Sequence, residues 1–228
     1  MVGKRGRSRD YFLSTTPKNR PGPPGGKRAL NRRHRVESLL SSACRLFLGQ
    51  GVEATTIAQI TAEAGTAKGS FYHYFRDKEE LVATLFRSLS ERVEEALDEA
   101  LESLAAAETE DALSRAYRTL GLRMLPALLG EKDLVQLYLQ ESRGFPSPCR
   151  RPITALRERI DASALELTQA AHSRGIWRPF PPQVSAFAVV GAVEKGLHHV
   201  LTSEPEADAS EWVPSLVSLV IDGLASRK

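Results

Sequence analysis

The 228-residue sequence has few of the features that mark several common classes of protein. Its two cysteines, Cys44 and Cys149, lie far apart and form no CxxC pair, so a disulfide-stapled scaffold is not expected. No uninterrupted apolar run approaches the roughly 18–20 residues that cross a bilayer, and no apolar segment follows the basic N-terminus as in a secretory signal. We therefore expect a reduced, cytoplasmic protein with no membrane partner.

Catalytic and cofactor-binding motifs are also missing. The sequence has no HExxH, no GxSxG, no phosphate-binding loop and no CxxC cluster. The adjacent residues His198 and His199 would point about 100° apart on a helix, and such pairs rarely share one metal ion. We therefore expect no enzyme activity, no catalytic residue, no cofactor and no metal site, and a small helical enzyme is the least favoured alternative.

Positive charge is unevenly distributed, although the net charge is only +3. Residues 1–36 contain eleven Lys and Arg side chains and one acid, Asp10, a net of +10, and the remainder carries −7. Such asymmetry indicates that one end meets a polyanion. Residues 1–30 have no hydrophobic period and include a Pro/Gly-rich run at 21–26, so we predict a disordered basic tail there.

From about Arg32 onward, the apolar residues follow the helical period, and neither strand alternation nor a long repeat is present. Capping boxes that begin at Thr56 and Asp77 predict two helix starts. Together with Gly and Pro stop signals, they place helices at about 32–48, 56–64, 67–75, 77–107, 110–129, 131–143, 153–174, 182–202 and 210–226. The chain is therefore predicted to be all-α.

The most informative stretch is residues 52–81, where two short helices meet at a tight turn around Gly65. This spacing, after the helix 32–48, is that of a helix-turn-helix. Inward packing is expected for Phe47, Ile57, Ile60, Ala64, Phe71 and Phe75. The second short helix then keeps a small and polar outward face. The candidate DNA-contacting residues are Thr56, Thr66, Lys68, Gly69, Ser70, Tyr72, His73 and Lys78.

The chemistry of these residue types suits DNA. Small residues such as Gly69 and Ser70 let the backbone approach a groove, and Lys68 can reach a guanine edge or a phosphate. Thr66, near a helix N-terminus, can offer its hydroxyl to a phosphate. The aromatic run at 71–75 has the alternative of ordinary core and rim packing, and Phe71 and Phe75 are assigned to the core.

The same stretch resembles the TetR family of bacterial transcriptional regulators. The resemblance covers about residues 33–81 and rests on Thr55-Thr56-Ile57-x-x-Ile60, Ala64-Gly65-Thr66-x-Lys68-Gly69-Ser70-Phe71-Tyr72-x-Tyr74-Phe75 and Lys78-Glu79-x-Leu81. It implies a homodimer whose third helix enters the major groove of a palindromic operator, and a C-terminal domain whose small effector releases the DNA. The implied domains are the tail (1–30), a helix-turn-helix DNA-binding domain (31–80) and a ligand-binding and dimerisation domain (81–228).

The last two predicted helices carry apolar seams that suit a two-fold four-helix interface, with an ordinary intrachain core as the alternative. The predicted interface residues are Phe187, Val190, Gly191, Leu197, Val213, Leu216, Val217, Val220 and Ile221. An effector pocket is expected among helices 81–174, capped by the region 175–201. Its plausible lining residues are Tyr117, Met124, Tyr138 and Trp177, with ordinary core packing as the alternative for each. The apolar composition favours a hydrophobic effector.

The leading hypothesis is a ligand-responsive DNA-binding regulator, usually a repressor, with double-stranded DNA, a second copy of the chain and a small molecule as partners. The alternative is a helix-turn-helix DNA-binding protein without an effector. For the basic tail, assistance to DNA binding stands beside a merely solubilising role.

Deletion of residues 1–28 tests the role of the tail. Counterion release by Lys and Arg is sensitive to salt and blind to base sequence. We therefore expect the truncated chain to lose DNA affinity mainly at low salt, measured by titration at several salt concentrations, with its preference among DNA sequences unchanged. A changed sequence preference would contradict this division of labour.

Overall fold

The computed structural model describes residues 26–174 and 177–203, together with Ser215, Ser218, Leu219 and Gly223. Within these residues the chain forms only helices, which confirms the all-α prediction. They are α1 (Lys27–Gln50), α2 (Ile57–Glu63), α3 (Lys68–Phe71), α4 (Lys78–Ala105), α5 (Glu110–Leu129), α6 (Lys132–Glu141), α7 (Arg151–Ser173) and α8 (Pro182–Thr202), with a short 3-10 helix at Pro148–Arg150 before α7. None of the helices in the described part of the chain is long and apolar enough to span a membrane.

The start of α2 has the predicted capping box. The Thr56 hydroxyl oxygen accepts a hydrogen bond from the Gln59 backbone N–H at 3.2 Å, and the Gln59 side chain accepts one from the Thr56 N–H at 2.8 Å. These two bonds satisfy two amide donors that a helix start otherwise leaves without partners.

The turn after α2 depends on Gly65. Its φ is +61°, a left-handed conformation that costs glycine little. The N–H of Thr66 bonds to the carbonyl of Thr61 at 2.9 Å and that of Gly65 to Ala62 at 3.1 Å, the two bonds of a Schellman motif. This motif ends α2 and directs the chain into α3.

The interior of this three-helix unit is the one expected from the sequence. Phe47, Ile60 and Phe71 have no exposed surface, Phe75 is almost as deeply buried, and Ile57 and Ala64 pack against this core as partly buried residues. Burial of a large apolar side chain contributes roughly 1.5–3 kcal/mol, so these side chains hold α2 and α3 against α1.

The end of α3 and the capping of α4 differ from the predictions. Helix α3 ends at Phe71 and not near residue 75, because Tyr74 bonds back to Phe71 in a tight turn of i to i−3 type. At α4, the Asp77 carboxylate caps the Glu80 N–H as expected, at 2.8 Å. The Glu80 carboxylate, however, accepts from the N–H of Arg76 and not from that of Asp77, so this capping box is incomplete. The hydrogen bond from the Glu80 N–H lowers the pKa of Asp77, and the hydrogen bond from the Arg76 side chain lowers it further by a smaller amount.

The helices that follow pack around α4. This helix contacts α5 and α7, and α7 contacts α8. The seam predicted on α4 is buried along its whole length: Val82, Phe86, Leu89, Val93, Ala96 and Ala100. One face of α4 is therefore a continuous apolar surface that runs away from the helix-turn-helix.

Cys44 lies on the buried stripe of α1, as its position in the period predicts. Burial, with a smaller effect from Asp133, raises the pKa of its thiol to about 11. A thiol with this pKa stays protonated at neutral pH, so Cys44 acts as a small apolar core residue.

The chain divides into two compact units, Met1–Arg35 and Val36–Lys228. The predicted domain boundary near residue 80 falls in the first turn of α4, so a continuous helix joins the two predicted domains, and that division stays a prediction.

Helix α1 begins at Lys27, five residues earlier than the apolar period alone indicates, because Lys, Arg, Ala and Leu favour helix without any period. Residues 1–25 of the predicted tail lie outside the described residues. So does most of the predicted helix 210–226, of which the four described residues are helical.

Candidate nucleic-acid interface and ligand cavity

The outward face of α3 is open and polar. Lys68, Gly69, Tyr72 and His73 are exposed, and Thr66 and Ser70 are partly so. Tyr72 has 54% of its surface exposed, while the adjacent Phe71 has none. Because Phe71 is fixed in the core, the side chains around it have to point outward. Six of the eight predicted DNA-contacting residues thus lie on or beside one surface element.

The two lysines of the predicted set have different surroundings. Within the described part of the chain, Lys68 makes no hydrogen bond or ion pair. The Lys78 ammonium, in contrast, donates to three backbone carbonyls, those of Val52 at 2.7 Å, Thr55 at 2.8 Å and Glu53 at 3.3 Å. An ammonium has three protons, and these carbonyls use all of them. The geometry makes Lys78 a brace for the turn before α2, and a DNA contact by Lys78 stays a prediction that this geometry does not favour.

The remaining predicted contacts have distinct positions. Thr56 is exposed, but its hydroxyl also donates to Gln59, so it is engaged in capping α2. Ala67 is the N-cap residue of α3 and makes no side-chain cap, which puts Thr66 just before the helix. A Cβ added at Gly69 would meet no atom within 4 Å, so nothing inside the chain requires glycine there.

A second candidate site is an apolar cavity of about 240 Å³. Its walls come from α4 to α8, and all four predicted pocket residues line it: Tyr117, Met124, Tyr138 and Trp177. The rings of Tyr117 and Trp177 stack at 5.1 Å between centroids. Ligand pockets usually measure about 300–1,000 Å³, so this cavity suits a compact ligand.

The polar groups in the cavity wall already have partners. The Tyr117 hydroxyl donates to the carbonyl of Leu167 at 2.8 Å, and the Tyr138 hydroxyl donates to Glu194 at 3.1 Å. The other carboxylate oxygen of Glu194 accepts from Arg143 at 2.6 Å. Burial raises the pKa of both tyrosines, so both phenols are neutral at physiological pH. A molecule in this cavity would meet mainly hydrocarbon.

The structure describes four of the nine predicted dimer-interface residues, all of them on α8. On α8, Phe187 is 69% exposed, Gly191 is partly buried, and both Val190 and Leu197 line the cavity. The exposed apolar surface of α8 thus lies around Phe187 and Val184. Five further predicted interface residues lie outside the described residues: Val213, Leu216, Val217, Val220 and Ile221. Their role stays a prediction.

Two residues that matter in the structure were not among the sequence candidates. Glu141 is a buried acid on α6, and Glu194 is the acid beside the cavity. Glu141 had a detectable signal, because it continues the apolar stripe formed by Leu134, Leu137 and Tyr138. An acid on such a stripe needs a buried partner. For metals, the part of the chain described here holds no cluster of three or more His, Cys, Asp or Glu side chains.

Helices α1 to α3 form a small core that leaves the polar face of α3 exposed, and a helical body with a cavity follows. This arrangement is that of a helix-turn-helix DNA-binding protein. The family model for bacterial regulatory proteins of the tetR family matches residues 39–85. The HTH-type transcriptional regulator TcmR of Streptomyces glaucescens is 35% identical over 170 residues, which cover 67% of this chain and 73% of TcmR. The chain therefore belongs to the TetR family of transcriptional regulators.

Other relatives agree with this assignment. The HTH-type transcriptional regulator BetI of Cronobacter sakazakii is 27% identical over 173 residues, 74% of this chain and 77% of BetI. Among solved structures, the transcriptional regulator FadR from Bacillus subtilis in complex with stearoyl-CoA superposes with a TM-score of 0.58 at 16% identity. That match covers 82% of this chain and 98% of FadR, and it shows the shared fold.

Substitution of Gly69 by Ala separates stability from DNA contact. The added methyl group meets no atom of the chain, and Ala is favoured over Gly in helices by roughly 0.5–1 kcal/mol. We expect the free energy of unfolding to stay level or rise by that amount in thermal denaturation. DNA affinity should fall in a titration, because the methyl group stands where the backbone would approach the groove.

Gly49→Ala is the matched control, since Gly49 is also an exposed helical glycine with open space around it. Gly49→Ala should change the free energy of unfolding as Gly69→Ala does, but it should not lower DNA affinity. Equal DNA affinity for the two variants would contradict the assignment of Gly69 to the DNA-binding surface.

Proposed function

We propose that this TetR-family chain is a ligand-released repressor that binds a palindromic operator as a homodimer. The observation that carries the proposal is the open face of α3, where Lys68 has no partner in the described chain while the neighbouring Lys78 is used internally. An unpaired lysine on a rigidly anchored, polar helix surface is a feature that DNA can use.

The surface around α3 favours base reading over general attraction. The exposed positive side chain Arg76 is paired with Asp77 at 3.0 Å, and Arg45 is paired with Glu63 at 3.2 Å. On α3 itself, Lys68 is left for a guanine edge or a phosphate. One good base contact discriminates by about 1–3 kcal/mol, so sequence preference does not need a strongly basic surface.

Dimerisation is proposed through α8. Val184 and Phe187 expose apolar surface on one side of this helix, and its burial against a second copy would be favourable. A two-fold dimer presents two α3 helices, which fit half-sites spaced by about one turn of DNA. A palindromic operator follows from that symmetry.

The effector is proposed to be a compact, mainly hydrophobic molecule held in the cavity. The cavity wall offers hydrocarbon, and its polar groups are already paired. FadR, which shares the fold, was solved with stearoyl-CoA, a ligand with a long apolar chain. Ligand contacts that change the packing of α4 to α8 would alter the operator-binding state, and this is the basis of the proposed release.

The operator experiment starts with selection of duplexes from a random DNA pool by the full chain. We expect the selected sites to contain an inverted repeat, with two chains per duplex in sedimentation. Lys68→Ala should weaken binding to that duplex by about 1–3 kcal/mol or reduce the salt slope by about one. Arg118→Ala, which removes a positive charge from the exposed surface of α5, should change neither. Selection of no common sequence, or a monomer on the duplex, would refute the proposal.

Ligand release is tested by thermal shift with a panel of fatty acids, their CoA thioesters and uncharged polycyclic compounds. A ligand at 100 times its Kd should stabilise the chain by about 2.7 kcal/mol and dissociate it from the selected duplex. Ala164→Phe places a ring in the cavity and should abolish the shift. If no compound stabilises the chain or releases DNA, the alternative of a DNA-binding protein without an effector is favoured.

A further inference from the structure

The turn between α1 and α2 is held by a residue from the distant helix α6. The Val52 backbone N–H donates to Oε1 of Glu141 at 3.0 Å, and the Val52 carbonyl accepts from Lys78 at 2.7 Å. Both Val52 and Glu141 are buried. The peptide groups on either side of Val52 are therefore clamped between α6 and the first turn of α4.

The Glu141 carboxylate is itself fixed. Its Oε2 accepts from Nε of Arg150 at 2.6 Å, and the same guanidinium donates to the carbonyl of Phe145 at 3.2 Å. The two oxygens of Glu141 thus serve two different donors. Gly51 has φ +84°, and a Cβ there would lie 3.1 Å from Oε1 of Glu141, so the turn fits closely against the carboxylate.

Stability alone does not explain this arrangement. Burying an ion pair costs desolvation that the attraction often only offsets, and an apolar replacement is frequently as stable. A buried pair does define one geometry, because its hydrogen bonds are lost if either partner moves. The geometry defined here is that of the turn leading to Thr56, the N-cap of α2, and hence the start of the helix-turn-helix.

The same helix α6 reaches the cavity. Val135 and Tyr138 line it, and Tyr138 lies three residues before Glu141, less than one helical turn away. A helix is stiff over one turn, so a displacement of Tyr138 displaces Glu141. Gln140, beside it, also bonds to the Phe47 carbonyl of α1 at 3.3 Å. Helix α6 therefore contacts both the cavity and the helix-turn-helix.

We propose that Glu141 is a positioning residue that transmits the occupancy of the cavity to the α1–α2 turn and so to α2 and α3. The inference rests on the proposed function, since it assumes that α3 binds DNA and that the cavity is filled by a ligand. Filling the cavity shifts α6, the carboxylate moves relative to the Val52 N–H, and the start of α2 loses its fixed position.

Glu141→Gln tests the inference in the full chain. Val52 and Arg150 donate to different oxygens of the carboxylate, and in the amide one of those two positions becomes an NH2 group, which cannot accept. Glu131→Gln is the matched control, because Glu131 precedes α6 and pairs with Arg92, away from the helix-turn-helix. Ala164→Phe serves as the probe for a filled cavity, with Ala164→Leu as a milder version if the phenylalanine variant does not fold.

Binding to the duplex selected by the wild-type chain is measured with and without the cavity substitution. In the wild-type and Glu131→Gln backgrounds, filling the cavity should weaken DNA binding roughly tenfold, within the range of measured couplings. In the Glu141→Gln background, it should weaken binding by less than about twofold, which a merely structural role of Glu141 would not produce. An equal loss in all three backgrounds overturns the inference and leaves the proposed function standing.

Amide hydrogen exchange gives a readout that needs no DNA. The Val52 N–H should exchange roughly tenfold faster in Glu141→Gln and in Ala164→Phe than in the wild type, and Glu131→Gln should leave it unchanged. If Ala164→Phe leaves Val52 exchange at the wild-type rate, Glu141 does not transmit the state of the cavity. If the wild-type chain selects no DNA, the proposed function fails, and the exchange result still decides whether cavity and turn are coupled.

Discussion

The continuous apolar seam of α4 is the constraint on which the other features depend. At its start, Leu81 and Val82 belong to the same buried core as Phe47 and Phe71, and further along Leu89, Val93 and Leu97 line the cavity. A single helix therefore carries the packing of the helix-turn-helix at one end and a cavity wall at the other. Because close-packed interiors do not deform smoothly, α4 provides the fixed frame against which the proposed shift of α6 would act.

Charges near the helix-turn-helix are distributed so that few remain for a partner. Lys78 serves backbone carbonyls, Arg76 and Arg45 are in ion pairs, and Arg150 serves Glu141. The exposed pairs contribute little stability, because water and salt screen their attraction. Their effect is instead to neutralise cations that would bind any phosphate. On the short helix α3 itself, Lys68 makes no hydrogen bond or ion pair within the described residues.

Much of the helix-turn-helix could be predicted from the sequence, because local rules determine it. The capping box at Thr56, the glycine turn at Gly65 and the inward period of Ile60 and Phe71 involve residues within one or two helical turns of one another. The end of α3 was misplaced because a turn of i to i−3 type and a last helical turn have similar sequences. The Glu141 contact could not be predicted, since it joins residues 89 positions apart in the chain. The four cavity residues were predicted as plausible lining, but the cavity itself depends on how five helices pack, which no local pattern specifies.

The uneven charge of the chain can be compared with the charge of the candidate DNA-binding helix α3. Residues 1–36 carry a net charge of +10, whereas the short helix α3 carries one cation, Lys68, which makes no hydrogen bond or ion pair within the described residues. Attraction to DNA grows with the number of phosphates neutralised, whereas base discrimination grows with the geometric precision of a few contacts. A set of basic residues that attracts phosphates can supply the first but not the second, and a helix anchored by Phe71 can supply the second with little charge. Under the proposed function, separation of the two tasks along the chain would allow ligand control to act on geometry alone, because a displaced α3 would lose base contacts while the general attraction to DNA remained.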